Sequence, residues 1–145
     1  MMIFFGKKTL KKVAKKIDGE FSKIGRLRRE GKFDKAINKL LEMLREITQF
    51  PEEEFRRLPD AGETLFNIYC HLTMAAYDAE RFEDCIRWGF EALKVAEKVL
   101  VWKGLASEEE AAKMLGRDVV GLVKSMLSGA IDDAFNESLR ELGMV

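Results

Sequence analysis

The chain's only two prolines, Pro51 and Pro59, lie in one short stretch, "TQFPEEEFRRLPDAGET". Proline removes a backbone donor and clashes with the preceding turn, so its confinement leaves long runs on both sides free to be helical. In those runs apolar residues recur at spacings of three and four, and strand-like alternation is absent. Such spacing puts the apolar side chains on one face of a helix. The expected fold class is therefore all-α.

From Lys8 to Glu30 the apolar positions are Leu10, Val13, Ala14, Ile17, Phe21, Ile24 and Leu27. Gly19 and Gly25 each weaken this helix by roughly 1 kcal/mol relative to Ala, and a break near Asp18-Gly19 fits. Gly31 ends the run in the position after the C-cap. A second helix is expected at about 33–48, close enough to the first to form an antiparallel hairpin. A third at about 62–79 and a fourth at about 82–101, joined by a short loop at Glu80-Arg81, form another. Residues 51–60 read as an insertion loop. "SEEE" at 107–110 is a capping box, with Ser107 as N-cap and Glu110 reaching back. A short helix to Leu115, stopped by Gly116, should follow. A long last helix, capped by Asp118 and carrying Val119, Leu122, Val123, Met126 and Leu127 onward to Leu142, completes a C-terminal helical cap over 107–143.

A length of 145 residues suits one domain with one core. Hydrophobic residues at 47% beside 34% charged exclude a disordered chain. The formal net charge is zero, so no global field recruits nucleic acid. The charge is uneven, however: residues 1–50 hold 14 Lys/Arg against 6 Asp/Glu, and the basic excess belongs to this first third. Two cysteines, Cys70 and Cys85, make no disulfide framework in a chain this large, which suggests a reducing compartment. A single histidine, His71, excludes a multi-histidine metal site. No cofactor is expected. "MMIFF" is too short for a signal h-region or a membrane span, and no other stretch is long and apolar enough. The reading is a soluble, cytoplasmic protein. One Gln and three Asn beside so much charge point to a thermophilic source.

The two hairpins match in sequence. "GKFDKAINKLLEML" (31–44) lies over "ERFEDCIRWGFEAL" (80–93), with Phe33 over Phe82, Ala36 over Cys85, Ile37 over Ile86 and Leu44 over Leu93. A turn, an aromatic, an acidic residue, a small residue and an aliphatic recur in order. This pattern resembles the opening of the second helix of the tetratricopeptide repeat. The resemblance covers roughly residues 18–100 and implies two stacked hairpins: repeat 1 at 18–50 and repeat 2 at 61–101, preceded by a basic amphipathic segment at 1–17. Ala36 and Cys85 would sit at the helix crossings. It further implies that the first helices of the hairpins line a groove for a peptide or helix. By position, that face would offer Phe21, Gly25, Arg28 and Arg29, then Asn67, Cys70, Met74 and Tyr77.

No chemistry competes with this reading. "FFGKKT" lacks both the first glycine and the hydroxyl of a phosphate loop. Cys70 and His71 are adjacent, so on a helix they point about 100° apart and cannot act together. Glu52–Glu54 and Glu108–Glu110 stand at expected helix starts, where the dipole favours them. The chain is thus read as a protein-interaction module, a scaffold or adaptor, and not as an enzyme.

One feature stands outside that reading. "GKKTLKKVAKK" repeats lysine pairs every four residues: Lys7 and Lys8, Lys11 and Lys12, Lys15 and Lys16. A solvated helix face explains the pattern most simply. Docking on an acidic partner, including another copy of the chain, is a second explanation. The alternative function is a peripheral tether, in which this segment meets an anionic membrane or a nucleic acid. "MMIFF" beside it favours the membrane of these two, and the lack of interleaved aromatics disfavours nucleic acid.

Overall fold

A computed structural model describes residues 8–117 and Gly143. Over these residues the chain forms helices α1 (Leu10–Asp18), α2 (Phe21–Arg29), α3 (Phe33–Ile47), α4 (Glu52–Arg57), α5 (Pro59–Asp78), α6 (Phe82–Trp102) and α7 (Glu108–Arg117). No strand occurs among the described residues, so the fold class is all-α as expected. Lys7, "MMIFF" and the expected helix from Asp118 to Leu142 lie outside the described residues.

The long first helix is two helices. The Gly19 N–H still bonds Lys15 O at 3.2 Å, but the Glu20 N–H reaches back only to Ile17 O, at 2.9 Å. This tightening ends α1 where glycine weakens the helix. The Thr64 hydroxyl donates to Asp18 Oδ1 at 2.8 Å and ties the end of α1 to α5. At the other end of α1, Thr9 is the N-cap, accepting from the Lys12 N–H at 3.2 Å. Leu10, Val13, Ala14 and Ile17 are all buried, so α1 packs into the body, against α3 and α5.

Residues 51–60 are not a loop. Pro51 is an extended N-cap (φ −69°, ψ 156°), and Glu52, Glu53 and Glu54 fill the first turn of α4 with Arg56 and Arg57 in its last. Acids at a helix start and bases at its end both oppose the macrodipole. Phe55 is buried and stacks on Trp102 at 6.2 Å between ring centroids, which anchors this short helix on α6. Pro59 does not break a helix either. It occupies the first turn of α5, where its missing N–H costs nothing, so α5 begins three residues earlier than its apolar pattern suggests. Ser107 does cap α7, accepting from the Glu110 N–H at 3.1 Å. Gly116 does not end that helix, which continues to Arg117.

Both hairpins turn in the same way. After α2, the Gly31 N–H bonds Arg28 O (3.0 Å) and the Lys32 N–H bonds Leu27 O (2.8 Å). After α5, the Glu80 N–H bonds Tyr77 O (3.0 Å) and the Arg81 N–H bonds Ala76 O (2.8 Å). Each is a Schellman motif, which requires one left-handed residue. Gly31 supplies it at φ +74° in the first hairpin, and Glu80 at φ +61° in the second. The next residues, Lys32 (φ −89°, ψ 60°) and Arg81 (φ −91°, ψ 70°), start α3 and α6 with nearly identical backbones.

Helix α5 is the centre. It packs against α1, α2, α3, α4 and α6, while α7 rests on α6. Its buried positions are mostly small: Ala61, Gly62, Thr64, Thr73, Ala75 and Ala76, with Ile68 and Leu72 filling the middle. A Cβ at Gly62 would lie 2.8 Å from Val99 Cγ2 and 3.2 Å from the Trp102 ring, so glycine sets how closely α6 approaches. Ala36 on α3 and Cys85 on α6 are both fully enclosed.

A left-handed conformation costs a side-chain-bearing residue roughly 1–2 kcal/mol, of which glycine's greater freedom when unfolded returns part. Glu80→Gly should therefore stabilise the protein by about 0.5–1 kcal/mol, and Gly31→Glu should destabilise it. Urea unfolding midpoints check both; a midpoint lowered by Glu80→Gly would contradict the turn assignment.

Candidate functional site

At about 100° per residue, Glu63, Asn67, Cys70, Met74 and Tyr77 fall along one edge of α5. Asn67 is exposed, and Cys70, Met74 and Tyr77 are half-buried. Among the described helices, none packs over this edge of α5 as α2 and α6 pack on its flanks. Helix α6 covers one flank, closing over Gly62 at one end and placing Phe82 edge-on to Tyr77 (6.2 Å) at the other. Helix α2 covers the opposite flank.

The contact with α2 has two parts. Phe21 stacks on His71, with ring centroids 4.8 Å apart and planes 15° from parallel. About two turns further along α5, Arg28 grips Asp78. Its Nε and Nη2 are each 2.8 Å from the same oxygen, Oδ2, and its Nη1 lies 3.8 Å from Met74 Sδ. Both partners are mostly shielded, so this pair is held better than a free surface ion pair. Arg29 folds back over Gly25: a Cβ there would meet its Nη1 at 3.4 Å.

Of the expected residues, Phe21 and Arg28 meet α5, Phe21 on His71 and Arg28 on Asp78 and Met74, while Gly25 and Arg29 lie against each other on α2. His71 and Asp78 belong to this contact and are not foreseen. Their signal is positional: seven residues apart on α5, they lie on the same flank, and Arg28 on the neighbouring helix needs a carboxylate.

The titratable groups here are quiet. Burial pushes the Cys70 thiol up to about 11, which keeps it protonated. His71 is lowered from its ordinary 6.5, first by burial and then by the Arg28 charge. Its Nδ1 is enclosed without a hydrogen-bond partner. Cys70 lies on the open edge while His71 faces Phe21, so the two form no dyad. Among the described residues no three His, Cys, Asp or Glu side chains converge to hold a metal.

The lysine ridge lies on α1. Lys8, Lys11, Lys12, Lys15 and Lys16 are all exposed, opposite the buried side of the helix. Lys8 and Lys16 share Glu46 of α3, at 2.9 and 3.5 Å. The hydrogen bond from Lys8, with the charge of Lys16, holds that carboxyl below its ordinary 4.5 against the opposing effect of burial. No helix among the described residues is long and apolar enough to cross a membrane. Elsewhere, a cleft of about 570 Å³ opens between α4, α6 and α7, over Val101 and Trp102. Charged side chains ring it, and there Glu52 pairs with Lys98 at 3.0 Å and with Arg56 at 3.8 Å. Compared with protein-family models, curated proteins and solved structures, the chain gives no match.

His71 supplies a pH test of the α2–α5 contact. A histidine lowered in the fold takes up its proton more readily when unfolded. Its contribution is complete above 6.5 and is lost as the pH falls from 6.5 through the folded value. The chain has no other histidine, and Glu46 and Glu52, both lowered from 4.5, titrate in more acid solution. The unfolding midpoint should therefore drop between about pH 7 and pH 5 in the wild type and stay flat in His71→Phe. Equal slopes in both would show that His71 is not enclosed in this way.

Proposed function

We propose that this chain is a protein-interaction module, built as a tetratricopeptide-like pair of hairpins, that receives a peptide or helix along the open edge of α5 beside α2. One observation carries the reading. Helix α5 is enclosed by five neighbours, yet it leaves Asn67, Cys70, Met74 and Tyr77 accessible in a single row, next to the cations of α2. A thioether, a thiol and a phenol ring form a soft, adaptable surface, suited to packing a ligand side chain. The identical turns of the two hairpins support the repeat architecture from which this face follows. No catalytic role is assigned: the Cys70 thiol is protonated and the His71 Nδ1 is enclosed. Free cysteines suit action in a reducing compartment.

Position-dependent photo-crosslinking tests the proposal. With p-benzoylphenylalanine in place of Asn67, the protein should capture a discrete partner in extract of its source cells. The same group in place of Lys94, exposed on α6, should not. Capture from both positions alike, or from neither, would refute the assignment of the face.

A further inference from the structure

The two N-terminal helices are both basic, but they are basic in different ways. Every cation of α1 and its flank is lysine. Helix α2 carries Lys23, Arg26, Arg28 and Arg29 and no acidic residue. The acids nearby have other partners: Asp18 accepts from Thr64 of α5, Glu20 lies 4.0 Å from Lys39 of α3, and Glu30, exposed at the C-cap of α2, pairs with Lys32 at 3.2 Å. Arg28 is likewise engaged, on Asp78. Among the described residues, no carboxylate comes within 4.0 Å of Arg26 or Arg29, and both are exposed. On the helical wheel Arg29 stands next to Gly25 at the edge of the α2–α5 face, and Arg26, one turn earlier and about 60° further round, stands beside it on the solvent side of α2.

Resting on the interaction-module reading, we infer that the partner of this face is an acidic protein segment, and that its carboxylates bind Arg29 and Arg26 while the lysine ridge of α1 stays in water. A guanidinium forks onto a carboxylate with two parallel N–H bonds, whereas an ammonium is a strongly hydrated point charge. Arg28 already holds a carboxylate from the same helix, with two of its nitrogens on one oxygen of Asp78. The dipole at the C-terminal end of α2 stabilises cations there but gives no reason for arginine over lysine. The size also fits. The nine residues of α2 span about 14 Å, enough for four or five extended residues at roughly 3.3 Å each.

Longer polyanions fit less well. Residues 51–117 hold fourteen Asp/Glu against nine Lys/Arg. A duplex running past α2 would bring its phosphates toward this acidic half, whose charge acts over a screening length of about 8 Å. The apolar side chains of α1 are buried, so this helix has none of its own to insert into a membrane.

Fluorescence anisotropy with defined probes tests the inference at about 0.15 M salt. The probes are a short fluorescein-labelled peptide repeating Glu-Glu-Leu, the same peptide with Gln for Glu, a short DNA duplex and phosphatidylserine vesicles. The Glu peptide should bind and the Gln peptide should not. Arg26→Gln with Arg29→Gln should weaken binding about ten-fold; both side chains are exposed, and circular dichroism verifies the fold. Lys11→Gln, Lys12→Gln and Lys15→Gln together should change it by less than about two-fold. Equal weakening by the two sets, or tighter binding of the duplex or the vesicles than of the Glu peptide, would overturn the inference. If Asn67 still crosslinks a partner while the Glu peptide fails to bind, the acidic ligand class is refuted and the module reading stands.

Discussion

Close packing around α5 is the constraint on which the rest of the molecule depends. Five helices can surround a sixth only if the central one is slim, and α5 is slim where it must be. Ala61, Gly62, Thr64, Ala75 and Ala76 let neighbouring backbones approach, and Ile68 and Leu72 fill the space between them. Interiors pack at crystal-like density, so volume added on such a helix forces its neighbours apart. Gly62 shows this most directly, because Val99 and Trp102 occupy the space that a methyl group would need. The buried hydroxyls on α5 are satisfied as well: Thr73 donates to Tyr69 O at 2.7 Å, and Thr64 donates to Asp18. No unmet polar group opposes this burial at either threonine.

The candidate site is a consequence of the same arrangement. An enclosed helix can offer a partner only the edge its neighbours leave uncovered. Here that edge lies between α2 and α6, and α2 is fastened beside it by a ring stack at one end and an arginine–aspartate pair at the other. Helix α2 itself buries little, with Ile24 its one fully buried residue. The Phe21–His71 and Arg28–Asp78 contacts therefore do much to fix where the cations of α2 stand. The lysines of α1 have a simpler role, since the opposite side of that helix is already committed to α3 and α5.

Much of this was legible in the sequence because it rests on local rules. Apolar periodicity located α3 and α6 to within a residue at each end, and glycine marked the break at Gly19 and the turn at Gly31. The features that escaped depend on context. Three glutamates after Pro51 read correctly as a helix start, but nothing local shows that residues 51–60 hold a packed helix rather than an insertion loop, because Phe55 finds its partner only in Trp102. Pro59 reads as a breaker and acts as a starter. Glu80 holds a left-handed turn that sequence preference assigns to glycine, and only the alignment with Gly31 hints at it. Gly62 looks like a weak helix residue and is a contact surface. The pairing of Arg28 with Asp78 spans fifty residues, and no local pattern encodes it.

Native-state hydrogen exchange tests the central position of α5 most directly. If α5 is the element on which the others pack, its amides from Ile68 to Ala76 should exchange only through global unfolding, while those of α1 and α2 open at lower free energy. Amides of α5 that exchange before those of α3 and α6 would contradict the account.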